Sequence, residues 1–496
     1  MPHIVPILLL AAPLLAALLC LIPVGPRVAE LVSALDAIAV VSLAIWIATS
    51  TTATPIRIEP GIYIDALSAT MVLLIGVVSA VVVLYSLGYL RAEVRRGKLN
   101  LGQIRWYFCF LHLFIFSMLL VPLAGNLGIV WVAMEFTTVL SGVLVGFYRS
   151  GSALEAAWKY VVICSLGIGL ALFGTVLMYY SAVQILGQGN NALDWATLAR
   201  VAPHLNPGLV RLSFAFVLVG FGTKAGLAPM HTWLPDAHSQ SPSPVSALLS
   251  AVLLNCALYA VLRYHALAIR VLGPAFSSHL LIAFGLFSIA VAVPFLLVQH
   301  DIKRLLAYSS MEHIGIITVA SGIGGRLGFF AALLHLVNHA MTKSFMFLAS
   351  GTLIQRLETR NIHRLGGASR AAPILVAMLL LGGLALAGSP PFSPFIGEFL
   401  TVRAALLAGQ PLVGGVLLVL LALAFAGLLA HFGRIALGPP SRKGKHLDAK
   451  AVPTAYERLG ICALSVPAAI VLVLGLHVPD GLATLLHNAS QVIGGA

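Results

Sequence analysis

Residues 222–238 read GTKAGLAPMHTWLPDAH. Strongly apolar sequence lies on both sides: residues 212–222 before, and SPVSALLSAVLLNCALYAVL from Ser243 after. Lys224 is therefore a lone ammonium group at membrane depth, where a charge costs several kcal/mol unless it is paired, hydrated or neutralised. Pro229, five residues on, has no N–H to give a helix, so a break is predicted beside the lysine. Such a break is tolerated only where the freed backbone faces protein or a watery cavity. A titratable lysine at a broken helix is the pattern of an ion path. His231, in the same stretch, is a secondary polar candidate. The plain alternative is a kinked structural helix whose lysine snorkels to a surface. Gly222 and Lys224 lie well inside the run, which weighs against it.

Composition points the same way. The 496 residues are 60% hydrophobic and only 9% charged, which describes a polytopic membrane protein and not a soluble one. The formal net charge of +13 is no nucleic-acid footprint, because the basic residues cluster in short segments between apolar runs, as topology determinants do. Cys20, Cys109, Cys164, Cys256 and Cys462 are scattered singly, with no C-x-x-C. Neither an iron–sulfur cluster nor a zinc site is suggested, and no cofactor is expected. The first apolar run, residues 4–24, lacks a basic residue before it and a clear cleavage site after it, so it reads as a span and not a removed signal.

An all-α fold of fourteen membrane spans is predicted, at about 4–24, 31–50, 65–90, 106–123, 126–147, 157–181, 211–232, 243–263, 277–299, 305–323, 327–355, 373–402, 411–437 and 457–477. Segments after odd-numbered spans carry 20 of the 29 Lys and Arg, against seven after even-numbered ones, with Lys224 and Lys343 inside spans. The positive-inside rule then predicts cytoplasmic odd loops and both termini outside. Residues 182–210 contain ALDWATLARV, a predicted short surface helix, and 438–456 is basic and Gly/Pro-punctuated, a predicted flexible loop.

Span 12, LLLGGLALAGSPPFSPFIGEFL, is also interrupted by proline and carries Glu398. Spans 7 and 12 are five apart and so cross in opposite directions. Paired broken spans point to inverted repeats with a working site near the midplane. The expected organisation is an N-terminal three-span segment (1–105), two five-helix repeats (106–263 and 264–437), and a C-terminal loop and span (438–496).

Further titratable groups lie inside spans: Glu135 in span 5, Glu312 and His313 in span 10, and His335, His339 and Lys343 in span 11. The last three are spaced by four and share one helix face, about 6 Å per step. Glu135 reads as the partner of Lys224, since buried charges are rarely left unpaired, or else as an acid kept neutral by burial. Two histidines at i, i+4 suit a metal, but no third ligand is obvious and Lys343 one turn away argues against it. The series Glu135, Lys224, His335/His339/Lys343, Glu398 forms an acid–amine–imidazole–amine–acid line suited to proton transfer, with water filling gaps beyond hydrogen-bond reach. Nothing resembles a nucleophile–base site, a phosphate loop or a cofactor fingerprint.

GTKAGLAPMHTWLPDAH with SPSPVSALLS, then DIKRLLAYSSMEHIG and HLVNHAMTKS, resembles the antiporter-like subunits of respiratory complex I, relatives of Mrp-type cation/proton antiporter subunits. The resemblance covers roughly residues 60–435. LLSAVLLNCALY and AYSSMEHIG look most like component F of hydrogenase-4 and formate hydrogenlyase-type complexes. It implies fourteen helices with inverted five-helix repeats, a glutamate–lysine pair at Glu135 and Lys224, a relay at His335, His339 and Lys343, and an exit residue at Glu398. Many complex I members have a lysine where this chain has Asn255, so one hop must use water, Asn255 or His335. The chain also ends soon after span 14, unlike the distal complex I subunit with its long lateral helix.

The leading expectation is a proton-translocating subunit in a prokaryotic inner membrane. Its partners would be other membrane subunits and a peripheral hydrogenase or dehydrogenase arm, and its ligands protons. The alternative is an Mrp-type antiporter subunit, although sodium would favour clustered oxygen ligands. An enzyme acting on lipid would need acidic or nucleophilic clusters in its loops, which are lacking.

Overall fold

A computed structural model of the chain describes residues 3–439 and 455–495, apart from 24, 52, 53, 60, 188 and 190. Helices α1 (Ile4–Leu21), α2 (Pro26–Ser50), α3 (Ala66–Arg95), α4 (Leu101–Leu123), α5 (Leu127–Val145) and α6 (Gly151–Leu186) are followed by the short α7 (Trp195–Val201). Then come α8 (Pro207–Ala225), α9 (Trp233–Gln240), α10 (Ser243–Leu248), α11 (Leu254–Leu272), α12 (Ala275–Val298), α13 (Ile302–Ile323) and α14 (Gly325–Leu357). The last elements are α15 (Pro373–Leu386), α16 (Ser393–Leu407), α17 (Pro411–Leu437), α18 (Ala455–Leu476) and α19 (Asp480–Gly494). A single π turn, Leu249–Leu253, joins α10 to α11 in one continuous rod.

Among the described residues, eleven helices are long and apolar enough to cross a membrane. The chain is a mostly helical, multi-pass membrane protein. The long helices α13 and α14 fall outside that set, and they carry Glu312, His313, His335, His339 and Lys343. Their polar groups are wrapped by other helices rather than facing lipid: nearly all of α13 is buried, as is the whole middle of α14 from Ala331 to Gly351. Outer helices show the opposite pattern: on α6, Trp158 and Leu166 are about seven-tenths exposed, as a lipid-facing surface requires.

Several expectations are corrected. The fold is not wholly α: Ile56–Ile58 and Ile62–Ile64 form an antiparallel hairpin, with Arg57 opposite Tyr63. Its β-branched alternation sits in a segment too short to span. Many of the basic residues assigned to loops belong to helices instead, Arg263, Lys303 and Arg91 among them. Arg263 in α11 makes a bidentate pair with buried Asp65 at 2.6 and 2.7 Å and stacks over Trp195, whose helix α7 thereby docks on the bundle. Lys303 is buried at the start of α13 and donates to the Ser241 carbonyl at 2.6 Å. Arg91 in α3 pairs with Glu30 of α2. An unanticipated helix, α19, buries Leu485, Leu486, Ala489 and Ile493 against the bundle. Most of the loop read at 438–456 lies outside the described residues.

Both predicted breaks exist, but glycine makes the first and not Pro229. α8 stops at Ala225, and Gly226 turns left-handed at φ 81°. Its N–H reaches the Thr223 carbonyl, and Leu227 N–H reaches Gly222, closing a Schellman cap. The second break repeats this: Gly388 (φ 70°) bonds Ala385 and Ser389 bonds Leu384 after α15. Leftover polar groups of the first break are also satisfied. Trp233 Nε1 donates to Thr223 O at 2.9 Å, and Ala228 N–H donates to Ser288 Oγ of α12 at 3.0 Å. Freed backbone is thus buried in protein, the condition under which a membrane tolerates it.

Candidate functional site

The first cluster forms where α5, α6 and α8 meet. α6 and α8 approach closely: a Cβ on Gly220 would lie 2.6 Å from the Gly167 carbonyl. Small residues permit that approach and bring Tyr160 beside the last turn of α8. Lys224, fully buried on that turn, donates to Tyr160 OH and to Thr138 Oγ1, each at 2.7 Å. Its ammonium also lies 4.9 Å from the Tyr160 ring centre, a cation–π contact of about 0.5–2 kcal/mol. Tyr160 OH is 2.6 Å from Ser141 Oγ, and its ring packs on Trp233 with centres 4.8 Å apart.

Glu135 is half-buried and does not touch Lys224. Its carboxylate accepts from Ser165 Oγ at 2.7 Å and from Thr138 Oγ1 at 3.3 Å. Among the described residues the two charges form no direct ion pair, and the Thr138 hydroxyl stands between them. Glu135 and Thr138 share a face because they are three apart on α5.

The second cluster gathers α13, α14 and α16. His335, His339 and Lys343 are all fully buried on one face of α14, as their spacing predicts. His313 of α13 joins them: its Nδ1 lies 2.9 Å from His335 Nε2, and its ring centre is 5.7 Å from that of His339. Lys343 donates to the Leu306 carbonyl at 3.2 Å and to the Ser309 hydroxyl. Glu312 is buried on α13 with Oε2 unpartnered by protein. His339 has neither nitrogen partnered by protein. Glu398 of α16 sits against Gly388, at the break in its own helix pair, where a Cβ would collide with its carboxylate.

Donor atoms of His313, His335 and Glu398 all lie within 4.8 Å of one another. This group shares only His335 with the His335/His339 pair considered in the sequence, and its other two members come from α13 and α16. In chemical terms the set can pass one proton among two imidazoles and a carboxylate, or hold a cation.

Asn255 lies between the clusters, just after the π turn, a feature frequent at functional sites. Its Nδ2 donates to Ala251 O at 2.8 Å and approaches Leu336 O at 3.5 Å, leaving Oδ1 unpartnered by protein. No unbroken run of protein hydrogen bonds joins Lys224 to His339 among the described residues, so a proton crossing that interval needs water. His231 lies in the segment between α8 and α9, half-buried, with Nδ1 unpartnered by protein. Sequence reasoning missed Thr138, Tyr160, Ser165 and Trp233. Hydroxyls inside apolar helices carry no charge signal, although Thr138 was reachable from its spacing to Glu135. His238 was also missed; it is fully buried, stacked on Phe347 with centres 5.1 Å apart.

A family model described as NADH:quinone oxidoreductase/Mrp antiporter, TM, matches residues 124–425. Another, for the N-terminus of complex I chain 5, matches residues 46–98. The chain belongs to the NADH:quinone oxidoreductase/Mrp antiporter family. All six residues of the acid–amine–imidazole line fall inside the longer match. A hydrogenase-4 component F homolog from Methylacidiphilum infernorum is 41% identical over 76% of this chain and 79% of its own length. Hydrogenase-4 component B from Escherichia coli is 33% identical over 68% of this chain, which spans half of that protein. A chain of an archaeal membrane-bound sulfane sulfur reductase complex superposes with TM-score 0.85 at 26% identity, covering 99% of this chain and 98% of that one.

Proposed function

We infer that this family member is a proton-translocating membrane subunit of a complex I-like or membrane-bound hydrogenase complex. The observation that carries the reading is Lys224: a fully buried amine on the last turn before a helix break, held by neutral hydroxyls, with its acid one hydroxyl away. A purely structural ammonium would be expected to contact its carboxylate directly. A hydroxyl bridge leaves the amine able to give up its proton without abandoning an ion pair. The imidazoles of His335, His339 and His313 and the carboxylate of Glu398 then offer acceptors of graded chemistry. The line is rich in nitrogen, which favours protons over sodium and weighs against an Mrp-type cation exchange.

The finer organisation follows from this reading. Taking α13, α14 and the half-helices α15 and α16 as membrane elements, the chain has fourteen spans, with repeats at 106–263 and 264–437. The matching glycine caps at Gly226 and Gly388 support the repeat. The basic asymmetry supports termini on the outer side of a prokaryotic inner membrane. Driving energy comes from partners: other membrane subunits and a peripheral redox arm of the hydrogenase type, as the resemblance to hydrogenase-4 components suggests.

Glu398→Gln tests the line at its far end. The variant should assemble and keep electron transfer, while ΔpH formation in vesicles carrying the complex falls at least about tenfold. Equal proton pumping by variant and wild type would remove Glu398 from the path.

A further inference from the structure

A second buried acid–imidazole pair lies away from this line. Asp36 of α2 and His112 of α4 meet with Oδ2 and Nδ1 2.9 Å apart. Asp36 is about one-twentieth exposed and His112 fully buried. Asp36 is ten residues into α2, about 15 Å from its start at 1.5 Å per residue, which is half the thickness of a bilayer core. His112 is likewise halfway along α4. Neither residue falls in the stretches matched by the family models, 46–98 and 124–425.

Packing alone does not account for this pair. An ion pair taken out of water is often no more stable than apolar side chains of the same volume, and one at membrane depth is a functional candidate by default. The site is also unsatisfied: both carboxylate oxygens of Asp36 and Nδ1 of His112 are buried without a hydrogen-bond partner in the protein, so the 2.9 Å approach brings acid and imidazole together without an aligned hydrogen bond. The imidazole is held at its other nitrogen, His112 Nε2 lying 2.8 Å from Ser33 Oγ. One ring nitrogen thus faces an acid and the other a hydroxyl that can either donate or accept. That environment accommodates both neutral and protonated imidazole.

Polar groups continue from the pair toward one end of the bundle. Glu30, Ser33 and Asp36 recur every three residues on one face of α2. Glu30 accepts from Arg91 Nε and Nη2 at 2.6 and 2.8 Å. Arg91 is about one-fifth exposed, at the end of α3 that continues into Arg95 and Arg96. Other titratable groups facing the site are the Cys20 thiol of α1, 3.9 Å from Ser33 Oγ, and Cys109, three residues before His112 on α4.

We propose that Asp36 and His112 form a second proton-binding site, separate from the central line and loaded from the Arg91 end along the Glu30–Ser33 face of α2. The step is a simple transfer: a proton leaves water at the Arg91 end and is held between the carboxylate and the imidazole, with no redox change. Proton binding here does not depend on the translocation reading above.

Infrared difference spectra of the full chain in bilayers, titrated over about pH 5 to 8 where imidazole changes charge, test it. Wild type should show a carboxyl change and an imidazole ring change. Asp36→Asn should lose one carboxyl component and His112→Gln one imidazole component, and both of these components should persist in Lys224→Ala, which separates this site from the central line. Ser33→Ala removes the hydrogen bond to His112 Nε2 together with the weak contact to Cys20 Sγ. It should move the midpoint by at least about half a pH unit, the size expected for one lost hydrogen bond. Spectra of Asp36→Asn and His112→Gln that superpose on wild type, or an unmoved midpoint in Ser33→Ala, would overturn the proposal.

Discussion

The two broken helices share a backbone and differ in chemistry. Gly226 and Gly388 end their half-helices with the same pair of hydrogen bonds and the same left-handed turn. In the first, the charge precedes the break: Lys224 sits on the final turn of α8, held by Thr138 and Tyr160. In the second it follows: Glu398 lies on α16 and folds back against the glycine of its own cap. One motif thus presents an amine through neutral hydroxyls in one place and an acid through close backbone contact in the other. A break of this kind fixes where a side chain sits, and the residue placed beside it fixes whether that position carries an amine or an acid.

The largest expected effect is at the amine. Arginine at 224 keeps a positive charge that can hydrogen-bond Thr138 and Tyr160, but it does not deprotonate in proteins. Lys224→Arg should assemble, retain electron transfer and lose translocation almost as fully as Lys224→Ala, by more than about tenfold. A structural lysine gives the reverse order, with arginine nearly normal. ΔpH formation normalised to electron-transfer rate decides between them.

The glycines should then separate the two breaks. Alanine at either position costs about 1–2 kcal/mol for the left-handed turn. At Gly226 the new Cβ meets only the flexible tip of Leu234, 2.8 Å away. At Gly388 it meets the Glu398 carboxylate itself. Gly226→Ala should lower thermal stability and leave proton translocation mostly intact. Gly388→Ala should lower both. Equal translocation in the two variants would show that the packing of Glu398 against its own cap is incidental.

The distribution of charge explains how much of this was legible in the sequence. Lys224, Glu398 and the α14 stripe stand out because charges and imidazoles at four-residue spacing have no ordinary place in apolar helices. Both breaks were signalled by proline, yet the cap at Gly226 shows that glycine sets the first stop. His313 was visible as a polar residue but not as a neighbour of His335, because their contact joins two helices whose relative rotation no local pattern encodes. Arg263 and Lys303 were read as loop charges since each lies near the end of an apolar run. Only the fold shows Asp65 and the Ser241 carbonyl waiting for them. Thr138 was silent, since a threonine hydroxyl in a membrane helix ordinarily bonds its own backbone, and Tyr160 was silent because an aromatic ring in an apolar helix carries no charge signal.

Thr138 gives a smaller effect that sharpens the difference between the breaks. If it carries the influence of Glu135 to Lys224, then Thr138→Val and Glu135→Gln interrupt the same link. Each should slow translocation severalfold, less than any change at Lys224, and the double variant should be little worse than either alone. Additive losses would mean that acid and amine act independently, since coupled sites are recognised by failure of additivity.

The smallest effect concerns Trp233, which supports the first break. Its indole does two separate things: it caps the Thr223 carbonyl at 2.9 Å, and its ring packs on Tyr160. Trp233→Phe removes the first and keeps most of the second. The Thr223 carbonyl retains the Gly226 N–H, so it is not orphaned, and the loss should be near the net value of one hydrogen bond, about 1 kcal/mol. Thermal stability should fall modestly while Tyr160 stays in place to hold Lys224, leaving translocation close to wild type. Tyr160→Phe is the contrasting change: it removes a direct acceptor from the buried ammonium and should cost more in both measurements. If Trp233→Phe instead abolishes translocation with stability unchanged, the indole does more than hold the cap, and the first break depends on its tryptophan as the second depends on Glu398.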